Sequence, residues 1–264
     1  MSERAQVTVD NAVATVRLTR PDKLNALDAD MFDGLIRAGK QIMNDKSVRA
    51  VVLHGEGRAF SAGLDFSSFM GKPDLMQKLL ARGEESPANV AQRVAWIWQE
   101  IPVPVIAAVH GIAFGGGLQI ALGADIRYVA PDAQLSVMEI KWGLIPDMSI
   151  TQTLPHLVPL DVAKELTFTG RIVSGTEAVA LGLATKVCED PLEDALATAK
   201  LIAAKSPHAI RAGKALFNDA PTMSRADALK LETALQVGLL GSANQMEAVQ
   251  ANMMKRDPNF KDPE

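Results

Sequence analysis

Five apolar residues in a row, Val105-Ile106-Ala107-Ala108-Val109, lead through His110-Gly111-Ile112-Ala113-Phe114 into three consecutive glycines, Gly115-Gly116-Gly117, and on to Leu118-Gln119. A run without polar alternation suits a strand covered on both faces, the condition of a parallel sheet held between helices. A helix opened by glycines keeps its first N–H groups pointing outward and clear of side chains. The chain is therefore expected to be α/β, with backbone donors presented at the end of a buried strand.

The flanking sequence repeats the alternation of strand and helix. Residues 7–9 and Val13–Leu18 are expected to pair as a hairpin turning at Asp10-Asn11. Asp28 is placed to cap a helix carrying Met31, Leu35, Ile36, Ile42 and Met43 at near-helical spacing, and a buried strand follows at 50–53. A helix at 87–100, the strand at Val105–Val109, a helix at 115–123 and a strand at Ile126–Val129 extend the sheet to about residue 137. From residue 151 the pattern is mostly helical, at 161–168, 176–181, 192–204, 207–217 and a long run 225–254, with one strand at 186–188. In that last helical run Leu231, Leu235, Leu239 and Leu240 favour buried contact. The polar stretch 71–87 is expected to be a mobile loop that could cover a pocket.

Composition excludes several classes of function. A net charge of −4 with scattered Lys and Arg leaves no basic stripe for nucleic acid. No apolar run approaches the roughly 20 residues that span a bilayer, and the polar N-terminus has no signal core, so a cytoplasmic protein without membrane contact is expected. The single Cys188 has no partner for an internal disulfide, and His54, His110, His156 and His208 show no metal-ligand spacing. No metal is expected.

Chemistry concentrates in two loops. Ala59-Phe60-Ser61-Ala62-Gly63-Leu64-Asp65 is a turn rich in small residues just after a strand, and the glycine loop ending at Gly116 is the other. Together they could offer the backbone N–H groups of Leu64 and Gly116 to a carbonyl oxygen that becomes negative during reaction, with the helix dipole adding to the field. Nucleotide binding is disfavoured, because GxGxxG would need glycine at Ile120 and no GxxxxGK[ST] occurs. A hydrolase triad using His110 would need an elbow such as GxSxG, which is absent.

The segments AFSAGLD, PVIAAVHGIAFGGG and MEIKWGLIPD resemble the crotonase, or enoyl-CoA hydratase/isomerase, superfamily, and the resemblance runs through nearly the whole chain. It implies a spiral of ββα units over 1–195 holding an acyl-CoA site, and a C-terminal helical trimerisation region over 196–264. It further implies homotrimers or dimers of trimers, and no separate cofactor because the substrate carries coenzyme A. CoA contacts are implied at Lys23, Leu24 and Ala26, within Lys23-Leu24-Asn25-Ala26-Leu27, and at Ala62, Leu64, Asp65 and Gly116. Phe260 and Lys261 resemble the family's contact from a neighbouring subunit, and Leu64 and Gly116 its oxyanion-hole amides.

Hydratases of this family carry two glutamates, at positions that here read Gln119 and Glu139. Gln119, three residues after Gly116, is expected to face the site but cannot take a proton. Glu139 is the expected base, its pKa raised by burial near a thioester. Asp147 stands where many hydratases carry a small residue. The resemblance to dienoyl-CoA isomerases includes acids at both Glu139 and Asp147, although those enzymes have aspartate at the position of Gln119. Alternatives stay open: a salt bridge of Glu139 with Lys141 or Arg127, Asp147 as cap of a helix near Ser149, and Gln119 bonding to an acyl chain or water. The expected function is an enoyl-CoA hydratase/isomerase reaction on unsaturated acyl-CoA, isomerisation ahead of hydration. The alternatives are another crotonase reaction (dehalogenation, decarboxylation or thioester hydrolysis) or non-catalytic acyl-CoA binding.

Overall fold

A computed structural model describes residues 4–263. The chain opens with a hairpin of β1 (Ala5–Asp10) and β2 (Val13–Leu18). Its turn falls one residue later than expected, on Asn11-Ala12, at φ 49° and 64°, the paired positive values that match the twist of a two-residue hairpin. Asp28 caps α1 (Ala29–Asn44) as expected, its Oδ1 accepting from the Met31 amide at 2.9 Å. β3 (Ala50–Gly55) follows. The stretch expected as a loop at 71–87 instead contains a helix: after the short α2 (Phe66–Phe69) comes α3 (Pro73–Leu80), whose Leu79 is buried. The apolar Leu75, Met76, Leu79 and Leu80 share helical spacing, but polar neighbours dilute the signal.

α4 (Val90–Glu100) begins three residues later than expected, because Asn89 and Gln92 form a capping box that fixes its start. β4 (Val105–Val109), β5 (Ile112–Phe114), α5 (Gly116–Leu122), β6 (Ile126–Val129) and β7 (Gln134–Ser136) complete the first half. Next come α6 (Leu154–Leu157), α7 (Leu160–Thr169), β8 (Val173–Ser174), α8 (Gly175–Leu181) and β9 (Lys186–Val187). Four helices close the chain, α9 (Pro191–Ala203), α10 (Pro207–Asp219), α11 (Arg225–Leu239) and α12 (Ala243–Met254).

The main sheet runs β1-β2-β3-β4-β6-β9, parallel except for the opening hairpin, and a small sheet runs β5-β7-β8. A bridge between Ser61 and Ala113 extends the small sheet behind β3. Each successive main strand (β3, β4, β6) is thus followed by a short segment in the small sheet (Ser61, β5, β7), which is one turn of a crotonase-type spiral. β5, β7 and β8 escape a sequence reading because two or three residues are too few to display alternation.

Alternation within β3 and β4 does sort the two faces. Val51, Leu53, Val105, Ala107 and Val109 join the main core with α1 and α4, while Ala50, Val52, Ile106 and Ala108 meet Ala195, Ala199 and Ala203 of α9. α9 therefore belongs to the sheet's cover and spans the boundary drawn at 195/196. The run expected at 225–254 is broken by Gly241 (φ 74°), after which Ser242 caps α12. Leu231, Leu235 and Leu239 are only half-buried, Leu240 is exposed, and α11 contributes no buried residue. Among the described residues no helix is long and apolar enough to cross a membrane.

Candidate active site

Three loops at the C-terminal ends of β2, β3 and β4 are tied together by buried polar bonds. Asn25, fully buried and held at φ 53°, accepts from the Arg20 amide at 2.9 Å and donates to the carbonyls of Glu56 at 2.9 Å and Ala59 at 2.8 Å. The Ser61 hydroxyl donates to the Asn25 carbonyl at 2.9 Å, and Leu27 bridges Leu64 in parallel register. The Arg20 guanidinium spans Asp65 at 2.8 Å and Asp28 at 3.4 Å.

The 59–65 loop lies directly on the glycine loop. A Cβ on Gly63 would fall 2.5 Å from the Phe114 carbonyl oxygen and 3.4 Å from the Gly116 nitrogen, and one on Gly117 would fall 2.5 Å from the Ser61 carbonyl oxygen. Only glycine allows this approach. Among the described residues, neither the Leu64 amide nor the Gly116 amide donates to another backbone group. Gly116 is the first residue of α5, so its N–H has no partner within the helix.

Leu64 and Gly116 line one cavity of about 380 Å³ together with Glu139 and Asp147. Its other walls are mainly apolar: Phe32, Phe66, Leu79, Ala91, Phe114 and Trp142, among others. Met76, Leu79 and Leu80 of α3 contribute to the lining, so the 71–87 segment does cover a pocket, as a helix. Trp142 stacks on Phe66 with centroids 4.4 Å apart at the rim.

The Glu139 carboxyl sits over Gly115, whose Cβ would lie 3.1 Å from Oε1. Oε1 accepts from Gln119 Nε2 at 2.6 Å, and Oε2 is buried with no hydrogen-bond partner among the described residues. Burial raises the Glu139 pKa, the Gln119 bond opposes that, and the nearby charge of Asp147 adds to the rise. Neither suggested salt bridge forms: Arg127 donates to the carbonyls of Leu183 and Ala124, and Lys141 lies over the Trp142 ring. Asp147 stands at the solvent-facing rim, and what burial its carboxyl has pushes its pKa up. It caps no helix, since the short 3₁₀ turn Ile150–Gln152 begins at Ser149 without a side-chain cap.

Gln119 corrects one expectation. It does not face the cavity but lies behind Glu139, 1 % exposed, with its Oε1 taken by the Met148 amide at 2.8 Å. The helical turn from Gly116 carries it behind the Glu139 carboxyl, where the backbone amide of Met148 donates to it. Asp65 is likewise removed from the cavity by Arg20; its Ser67 hydrogen bond and the guanidinium hold its carboxyl below the usual range. Lys23, Leu24 and Ala26 form a turn outside the cavity lining that backs the loop, the Leu24 carbonyl accepting from the Ala62 amide at 2.9 Å. Phe260 and Lys261 are not brought to this cavity: Arg49 donates to the Phe260 carbonyl at 2.9 Å, and Asn244 brackets Lys261 at 2.7 and 2.9 Å. Sequence reading missed Arg20 and Asn25 as organisers of the site, and Phe32, Leu79 and Ala91 as its walls. The signal for Asn25 was its place inside Lys23-Leu24-Asn25-Ala26-Leu27, where a small amide suits a left-handed turn.

A larger cleft of about 960 Å³ opens beside α10, but it gathers none of the predicted residues. Its buried Lys214 is consumed by Asp125 at 2.8 Å and by the carbonyls of Trp98 and Val103. Cys188 is half-buried, its thiol pushed up to about 11 by burial, and His110 contacts the Gly57 carbonyl at 2.8 Å. Among the described residues no cluster of His, Cys, Asp or Glu could hold a metal ion.

Known proteins resemble the chain over nearly its whole length. The family model described as Enoyl-CoA hydratase/isomerase matches residues 8–263. The chain is 35% identical over 261 residues to a probable enoyl-CoA hydratase of Bacillus subtilis, covering 97% of each. It is 32% identical to a peroxisomal Delta(3,5)-Delta(2,4)-dienoyl-CoA isomerase of Arabidopsis thaliana, covering 95% of this chain and 93% of that one. The crystal structure of an enoyl-CoA hydratase from Bacillus anthracis superposes with a TM-score of 0.90 at 30% identity, covering 98% of this chain and 99% of that one. With the spiral, the paired loops and the carboxyl-lined cavity in place, the match over nearly its full length makes this chain a member of the enoyl-CoA hydratase/isomerase family of the crotonase superfamily.

Proposed function

We propose that the protein moves a double bond within an unsaturated acyl-CoA thioester, using Glu139 and Asp147 to shuttle the proton. The supporting observation is that both carboxyls line one apolar cavity with Leu64 and Gly116, whose amides have no backbone acceptor among the described residues. Loss of a proton from carbon drives charge onto the thioester oxygen, and two fixed N–H donors in a dry site each stabilise that charge by about 3 kcal/mol. A raised Glu139 pKa brings the carboxyl closer to the operating pH, where a general base works best. Shifting a double bond requires removal of a proton at one carbon and return at another. Water addition requires in addition that a water be activated and oriented, and Gln119 is engaged elsewhere.

Hydration is the second reading, favoured by the relatives named enoyl-CoA hydratase. The test offers purified protein a 2-enoyl-CoA and a 3,5-dienoyl-CoA of equal chain length, following absorbance and product mass. Conversion of the diene without mass change is the expected result. A gain of one water by the enoyl substrate, with the diene untouched, would replace isomerisation by hydration. A tight CoA complex without turnover on either would favour a binding protein. We also infer that the chain assembles as a trimer or a pair of trimers, in which Phe260 and Lys261 reach a neighbour's CoA site. They lie outside the cavity of their own chain.

A further inference from the structure

The Gln119 amide makes two contacts whose order is fixed by chemistry. The Met148 backbone N–H can only donate, so the side-chain oxygen of Gln119 must face it, at 2.8 Å. The amino end is thereby turned to Glu139 Oε1, at 2.6 Å, and an amide NH2 group does not accept hydrogen bonds. Oε1 is therefore an acceptor in every protonation state of Glu139. Oε2, on the same cavity-lining side chain, is buried and without a partner among the described residues. A buried carboxylate oxygen left unpaired is costly unless a ligand completes it.

We propose that Gln119 is a positioning residue that, by holding Oε1, commits Oε2 of Glu139 to be the oxygen that takes the substrate proton. This rests on the reading of Glu139 as the base. In the forward step the substrate C–H bond breaks, an O–H bond forms at Oε2, and the electron pair passes into the thioester enolate. The proton then passes from Oε2 to Asp147 and from there to another carbon, where a C–H bond forms as the enolate returns its electron pair, leaving both carboxylates as they began. Gln119 has both ends of its amide engaged, so it acts only through Glu139. The charged group that acts on that carboxyl is Asp147, whose charge adds to the rise in its pKa; Lys141 is turned instead over the Trp142 ring.

The test compares wild type, Gln119→Met and Glu139→Gln across pH, with kcat/KM beside an infrared titration of the Glu139 carboxyl in substrate-free protein. Removing a donor to the charged carboxylate favours the protonated form. The acidic limb of kcat/KM and the carboxyl titration should therefore both move to higher pH, with kcat/KM at about pH 6 lowered about tenfold. Gln119→Glu keeps an oxygen for the Met148 amide but sets a carboxylate against Oε1; it should shift both readouts the same way, and it serves if the Met variant does not fold. Unmoved readouts in a folded Gln119 variant overturn the proposal while leaving Glu139 as base. Full turnover by Glu139→Gln overturns both.

Discussion

Glu139 is where burial and chemistry oppose each other most directly. Its carboxyl is partly desolvated, one oxygen has a single donor and the other has none among the described residues. Replacement by Gln keeps the shape and removes the proton-carrying function, so turnover should fall about 100- to 10,000-fold while acyl-CoA affinity stays within a few-fold, measured by steady-state kinetics and calorimetry. Affinity lost together with turnover would mean that Glu139 holds the ligand instead. The raised pKa also has a stability consequence of definite sign. The fold prefers the protonated carboxyl, so its favourable contribution is fully present below the ordinary glutamate pKa and is lost as pH rises through the elevated one. Glu139→Gln should therefore melt higher than wild type at neutral pH, with the gap closing in acid. A melting difference independent of pH would show that the carboxyl is not strained by burial.

At the scale of elements, the site depends on two loops that approach until only glycine fits between them. Gly63 combines φ 82° with a Cβ position 2.5 Å from the Phe114 carbonyl oxygen, whereas Gly71, at φ 72°, has nothing within 4 Å. Alanine at either position incurs left-handed strain of about 1–2 kcal/mol, but only at Gly63 must it also push the Leu64 and Gly116 amides apart. Gly63→Ala should lower kcat at least about 100-fold, the effect of displacing one oxyanion donor, and Gly71→Ala should leave kcat near wild type. Equal losses in the two variants would show that strain, not loop spacing, governs activity. These same elements mark what the sequence could disclose. Val105–Val109 was readable because an unbroken apolar run has one stable environment, and Asp28 was readable as a cap because it precedes a periodic helix. That Glu139 and the glycine loop meet at one cavity was legible through their resemblance to family motifs. The small sheet, α3 and the inward turn of Gln119 were not, since each is decided by contacts made across the fold: Ser61 with Ala113, Leu79 with the cavity, and Met148 with the Gln119 amide.

Over the whole molecule, α9 finishes the sheet and the three helices after it leave apolar surface uncovered. Phe217, Val237, Leu240, Met253 and Met254 are exposed, and α11 has no buried residue at all. Its leucines Leu231, Leu235 and Leu239 are only half-covered within the chain, and in the proposed assembly a second copy packed on this face would cover the rest. In solution the mass should be three or six times the 28.2 kDa of one chain, by light scattering on a sizing column. Val237→Glu combined with Leu240→Glu would bury two charges in that contact and should yield the single-chain mass. If Phe260 and Lys261 reach the acyl-CoA of a neighbour, the dissociated variant should also show a raised KM for acyl-CoA. A wild-type protein that runs at 28.2 kDa at micromolar concentration would sink the assembly. A dissociated variant with an unchanged KM would confine each site to its own chain.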